Sequence, residues 1–220
     1  MTLQDVRIVD APAAWQAGDA SSHREMHDRM SFAPLDHDGP WSEDEYLAID
    51  PAGHRIELID GSLLLSPAPK NRRQLLSSLL WAAFDERAAE AGLFALEGVN
   101  VRLGSGRILI PDLIVADVDG GDDTIAADDV MLAVEIASPS TAGVDRFIKM
   151  PLYAAAGIAW YLVVEQELSG AVTMHVHRLA GGRYDEEAKV GPGQTLTLTK
   201  PLDVTLDPDA LLRRIARRQA

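Results

Sequence analysis

The chain has 220 residues and no cysteine, with 47% apolar and 25% charged residues. This is an ordinary globular balance that can bury roughly 70% of the unfolded surface without a staple, and the missing cysteine excludes disulfide scaffolds, thiolate zinc sites and cysteine nucleophiles. Twenty Lys and Arg against 34 Asp and Glu leave a net charge of −14, so the chain repels polyanions on average, and any nucleic-acid role must rest on a local basic patch or on metal ions.

The N-terminus, MTLQDVRIVD, has neither a basic nor an apolar leader region, and no apolar run approaches the ~20 residues of a spanning helix. A cytoplasmic protein with no membrane partner is expected. Residues 1–41 are acidic, sparsely apolar and hold three of the six histidines. They read as a loosely ordered arm or a short helix near 22–32. His23 and His27 stand four apart, a metal-compatible spacing on a helix, but no third ligand is near in sequence and solvated histidines are the simpler reading.

A domain is expected over 42–220. WSEDEYLAI (41–49) reads as a short helix, with Ser42 as N-cap and Glu45 at capping-box spacing. Residues 55–59 and 62–66 flank Asp60-Gly61, a strong hairpin signal. From Asn71 to about Ala91, Leu75, Leu76, Leu79, Leu80, Ala83 and Phe84 recur at helical spacing, and Gly92 stops the helix. Residues 94–103 and 107–116 read as two strands joined by Gly-Ser-Gly. The loop 117–129 carries six aspartates and two glycines and should be solvated. Val130–Ala137 reads as a central strand buried on both faces, closed by Pro139. Residues 144–156 read as a helix, 160–164 as another buried strand, and 172–178 and 194–198 as strands. A last helix opens at Asp207-Pro208 and ends in Arg213, Arg214, Arg217 and Arg218, cations that suit the end of the helix dipole. The class is mixed α/β.

Two acidic residues are out of character with their strands. Asp112 lies in ILIPDLIVA and Glu135 in MLAVEIASP. A carboxylate in an apolar strand must pair, neutralise or bind a cation. Singly, each could cap backbone or pair with an arginine. On adjacent strands the two could lie about 5 Å apart, where oxygen ligands suit Mg²⁺ or Mn²⁺. Asp145, Lys149 and Tyr153, at i, i+4 and i+8, share one helix face. They form either a surface Asp–Lys pair or a lysine aimed at the carboxylates. No phosphate-binding loop and no nucleophile-elbow motif occurs. His175 and His177 alternate on one strand with no acidic partner near in sequence, which suits a structural role.

The order ELIDG (57–61), SPAP (66–69), VRLG (101–104), PDL (111–113), VEIASPST (134–141), DRFIK (145–149), LYAAAGI (152–158) and WYLVV (160–164) resembles the Uma-type putative restriction endonuclease family, a branch of the PD-(D/E)XK nuclease superfamily. The likeness covers about 42–206 and leaves out the arm. It implies a restriction-endonuclease-like core, a central mixed sheet flanked by helices. It also implies hydrolysis of nucleic-acid phosphodiesters, DNA foremost, with Asp112, Glu135 and Lys149 as catalytic residues. Asp112, Glu135 and the backbone carbonyl of Ile136 would hold Mg²⁺ or Mn²⁺. Ala137 stands where the superfamily carries a lysine, and Lys149 matches the lysine that this family carries on the next helix. Glu57, Asp145 and Tyr153 would form an outer part of the site. Lys70, Arg72 and Arg73 could track a nucleic-acid backbone or simply be solvated. A catalytically degenerate binding or regulatory module is the second reading, an unrelated interaction domain the third, and pairing with a second copy is open.

Overall fold

The computed structural model describes residues 37–49, 55–66, 69–121, 123–138 and 142–216. The expected arm up to residue 36, with His23 and His27, lies outside these, as do Pro67, Pro139, Arg217 and Arg218. The chain divides into two compact units: 1–68 with 105–107, and 69–104 with 108–220.

In the first unit, helix α1 (Glu43–Leu47) starts with a complete capping box. The Ser42 hydroxyl and amide donate to Glu45 at 2.6 and 2.9 Å, and the Glu45 amide returns to the Ser42 hydroxyl at 3.3 Å. The Ser42 hydroxyl, then its amide, then His37 hold the Glu45 carboxyl down at about 2. Strands β1 (Arg55–Ile59) and β2 (Ser62–Ser66) form the expected hairpin. Its turn uses positive φ at Asp60 (50°) and Gly61 (79°). Gly61 has a second reason to be glycine: a Cβ there would sit 2.5 Å from the Pro40 Cβ. The segment 105–107 is fastened here through Asp60 N–H to the Gly106 carbonyl (2.9 Å), Gly106 N–H to Glu43 (2.8 Å) and a forked Arg107–Asp60 pair (2.6 and 3.0 Å).

In the second unit, helix α2 (Asn71–Glu90) buries Leu76, Leu80, Phe84 and Ala88, one residue per turn along a single stripe. Its end is closed by Leu93 N–H on the Ala88 carbonyl and Gly92 N–H on that of Ala89, the paired bonds that satisfy orphan carbonyls. Strands β3 (Phe94–Glu97) and β4 (Val101–Gly104) follow, then β5 (Arg107–Leu109), whose first residue is counted with the first unit, β6 (Leu113–Ala116), the short β7 (Ile125–Ala126) and β8 (Val130–Ala137). Helix α3 (Ala142–Val144) runs through a π turn (Asp145–Lys149) into α4 (Met150–Ala155). Then come β9 (Trp160–Gln166), β10 (Val172–Ala180), β11 (Arg183–Val190), β12 (Leu196–Leu198), β13 (Val204–Leu206) and α5 (Pro208–Ala216).

Six strands form one mixed sheet in the order β11-β10-β9-β8-β6-β3. Within this sheet, among the described residues, only β8 and β9 run parallel, and such a pair needs a crossover, which α3, the π turn and α4 supply. Alternation along the strands divides the sheet. One face, with Leu132, Val134, Ile136, Leu162, Val164, Met174 and Val176, packs on the α2 stripe as the apolar core. The other face carries Ala133, Glu135 and Ala137 beside Tyr161, Val163 and Glu165, and then His177, His175 and Thr173.

Four local readings change. Residues 94–103 are two strands, because Gly98 turns the chain at φ 63°. Residues 107–116 are also two, because Pro111 lacks an N–H for the ladder. The helix over 144–156 contains a π turn. Strands β7, β11 and β13 fall outside the expected strands: β7 lies in the segment expected to be a solvated loop, where Ala127 is buried, and β11 is a polar, largely exposed edge strand without the alternation that marks a half-buried one.

Replacing Gly61 by Ala should destabilise the protein by about 1–2 kcal/mol from the left-handed backbone alone, with the Pro40 contact adding to it. Urea denaturation of the two proteins side by side measures this, and an unchanged midpoint would contradict the described turn.

Candidate functional site

Glu135 has no exposed surface. Its strand puts it on the polar face, between Ala133 and Ala137, whose small side chains leave room above the sheet. The crossover fills that room. Lys149, the last residue of the π turn, donates its Nζ to Glu135 Oε1 at 3.1 Å, and the Tyr153 hydroxyl, one turn on in α4, donates to the same oxygen at 2.8 Å. The Lys149 side chain is only 4% exposed, so its ammonium points at Glu135 and not into solvent. Asp145, at the start of the turn, is also buried, and its carbonyl accepts from the Tyr161 hydroxyl at 3.5 Å. Burial, and then the charges of Glu135, Asp145 and Asp112, push the Tyr161 phenol far above its ordinary range.

Asp112 precedes β6. The last registered pair of β6 and β8 here is Leu113 with Val134, so continuation of the ladder sets Asp112 opposite Glu135. The ladder cannot go on through Pro111. The Asp112 carboxylate replaces it, accepting the Ile136 N–H at 2.7 Å on Oδ2. The same oxygen takes the Arg73 guanidinium from α2 at 2.6 Å. Ile136 thus meets Asp112 through its amide.

The structure therefore joins Glu135, Lys149 and Tyr153, and separately joins Asp112, Ile136 and Arg73. Of the basic trio, Lys70 is exposed at the start of α2, Arg72 donates to the Gly170 carbonyl, and Arg73 is spent on Asp112. Glu57 belongs to the first unit, buried on β1.

The expected Mg²⁺ or Mn²⁺ site is corrected. Among the described residues no group of three or more His, Cys, Asp or Glu is placed to hold a metal ion. The physical reason is visible in the partners: Arg73 sits on one carboxylate and Lys149 on the other, so each negative charge already has its cation.

A second polar cluster lies along the same face. Glu165 on β9 contacts Arg146 of the π turn at 2.5 Å and His175 at 3.5 Å, and His175 Nδ1 lies 2.9 Å from Glu186 of β11. Tyr161 and Tyr184 stack at 5.5 Å beside His177, whose imidazole is pushed down chiefly by burial. The acidic partners of His175 come from neighbouring strands. The period-2 alignment of Tyr161, Val163 and Glu165 in WYLVVEQ is the sequence signal for Glu165; no such pattern marks Glu186.

A family model described as a putative restriction endonuclease matches residues 43–209. The fold is similar to the crystal structure of a putative nuclease from Anabaena variabilis, with a TM-score of 0.61 at 15% identity, covering 79% of this chain and 98% of that one. At that identity the likeness is one of fold: a restriction-endonuclease-like core built on a central mixed sheet. No curated protein matches. Among the described residues no helix is long and apolar enough to cross a membrane.

Taking the ammonium away from Glu135 should be costly. Lys149→Met is expected to lose about 3–5 kcal/mol, the scale for removing one partner of a buried pair. Adding Glu135→Gln to it should recover much of that loss. A double-mutant cycle by chemical denaturation reads the coupling, and a single variant losing under ~1 kcal/mol would show that the pair contributes no more than a surface one.

Proposed function

The chain belongs to the Uma2 family of putative restriction endonucleases, and on that footing we propose that it cleaves phosphodiester bonds of nucleic acid, DNA foremost, at a centre made by Asp112, Glu135 and Lys149. One observation carries the reading. Lys149 converges on Glu135 from the crossover, directly beside the strand end where Asp112 takes the Ile136 amide.

Each residue has a role that its setting suits. Asp112, with 10% of its side chain exposed against none for Glu135, is the carboxylate nearer solvent: as the water oxygen bonds to phosphorus its proton passes to Asp112, and the P–O bond to the departing oxygen breaks, that oxygen taking a proton from solvent. Glu135 and Tyr153 aim the Lys149 ammonium, which offsets the charge that develops on the phosphoryl group. Arg73, 16% exposed, is the cation that a phosphate can draw away from Asp112. Asp145 belongs to the outer part of the site, at the start of the same turn. Lys70, exposed before α2, tracks the backbone.

A second reading, a non-cleaving member that binds nucleic acid or regulates a partner, is favoured by the closed state of the centre, in which both carboxylates are already matched by cations. Incubation of the full chain with plasmid DNA and with RNA, read for both binding and cleavage, separates the two. Cleavage that falls about 10²-fold or more in Asp112→Asn and in Lys149→Met, the scale of losing one preorganised group, supports the first, provided that melting shows the variants folded at the assay temperature. Binding without cleavage selects the second in its nucleic-acid-binding form, and neither binding nor cleavage rejects the first and leaves only a regulator of another partner.

A further inference from the structure

The π turn has an outer wall as well as an inner one. Asp145, Ile148 and Lys149 are buried, whereas Arg146 and Phe147 face outward. Phe147 is 71% exposed and stands two residues from Lys149. Aromatic residues are only 5% of the chain, and Phe84 by comparison is fully enclosed in the core. A π turn is a rare form that recurs at functional positions. Here it carries the lysine of the centre on one side and this ring on the other.

Arg146 gives the ring a charged neighbour. Its contact with Glu165 across the turn holds the guanidinium in place, while 57% of the side chain stays open to solvent. An exposed aromatic beside an anchored guanidinium is the combination that holds an unpaired base, the ring offering a π face and the guanidinium a phosphate partner or a second planar surface. A duplex keeps its base faces covered and offers chiefly phosphate charge. A chain of net charge −14 gains little from long-range attraction to that charge, so a stacking contact is what this wall can best supply.

We propose that Arg146 and Phe147, on the outer wall of the π turn, form a stacking site for an unpaired base of single-stranded nucleic acid. The inference rests on the nucleic-acid reading above and deepens it by naming the form of the strand. Fluorescence anisotropy of the full chain with a short labelled single-stranded DNA, and with the matching duplex, tests it. The single strand should bind more tightly. Phe147→Ala should weaken single-strand binding by about tenfold or more, the scale of one lost stack, leave the dependence on salt unchanged because no phosphate contact is removed, and leave the melting temperature unchanged. Phe147→Trp should bind at least as well as the wild type. Single-strand binding that persists undiminished in Phe147→Ala would overturn this inference alone; absence of binding to either form by the wild type would overturn it together with the nucleic-acid reading.

Discussion

A carboxylate with no access to water cannot stand by itself in a sheet, and the means by which Glu135 is accommodated organise one whole face of the second unit. The penalty for an isolated buried charge is several kcal/mol. It is offset here by an ammonium and a hydroxyl on one oxygen. Both donors come from the crossover that the parallel β8–β9 pair requires in any case. Their four-residue spacing puts them on one side of that helix, so satisfying Glu135 also sets how the helix is rotated over the sheet. Ala133 and Ala137 complete the arrangement by keeping larger side chains out of the way.

The opposite face obeys a simpler rule. There the fully buried β8 and β9 side chains are Leu, Val and Ile, and α2 meets them with a stripe of one residue per turn. Nothing on that side calls for a specific partner, and shape and area suffice. Arg73 is the exception. It leaves α2 at the end of the sheet to reach Asp112, whose carboxylate also finishes a ladder that Pro111 interrupts. The two acidic residues are therefore held by different means: one is enclosed by a helix laid over the sheet, the other is fixed at a strand terminus.

How much of this could be read in advance follows from the range of the forces involved. The α1 capping box, the Asp60-Gly61 turn, α2 and the buried β8 and β9 strands are specified by residues a few positions apart, and each was legible. So was the oddity of Asp112 and Glu135 in apolar runs, and so was the family, through motifs in a fixed order. The partners of those carboxylates were only half legible. The helix face of Asp145, Lys149 and Tyr153 pointed to Glu135, but nothing local says that Arg73 crosses to Asp112, and that contact turned an expected metal pair into two separate ion pairs. The π turn escaped because its composition is that of an ordinary helix. Strand β11 escaped because its charges mask the alternation, and with it went Glu186, one of the two acidic partners of His175.

Strand β11 has a consequence for how the molecule meets its own kind. It ends the six-stranded sheet, and an edge strand offers unpaired backbone groups to any neighbouring chain. Its sequence, RYDEEAKV, places Asp185, Glu186 and Glu187 in succession. Two copies laid antiparallel about Glu186 would bring carboxylate against carboxylate at three consecutive positions, and like charges directly opposite are repelled. An antiparallel pairing of two β11 edges in that register is thereby discouraged, and the run of three acidic residues guards this border of the sheet.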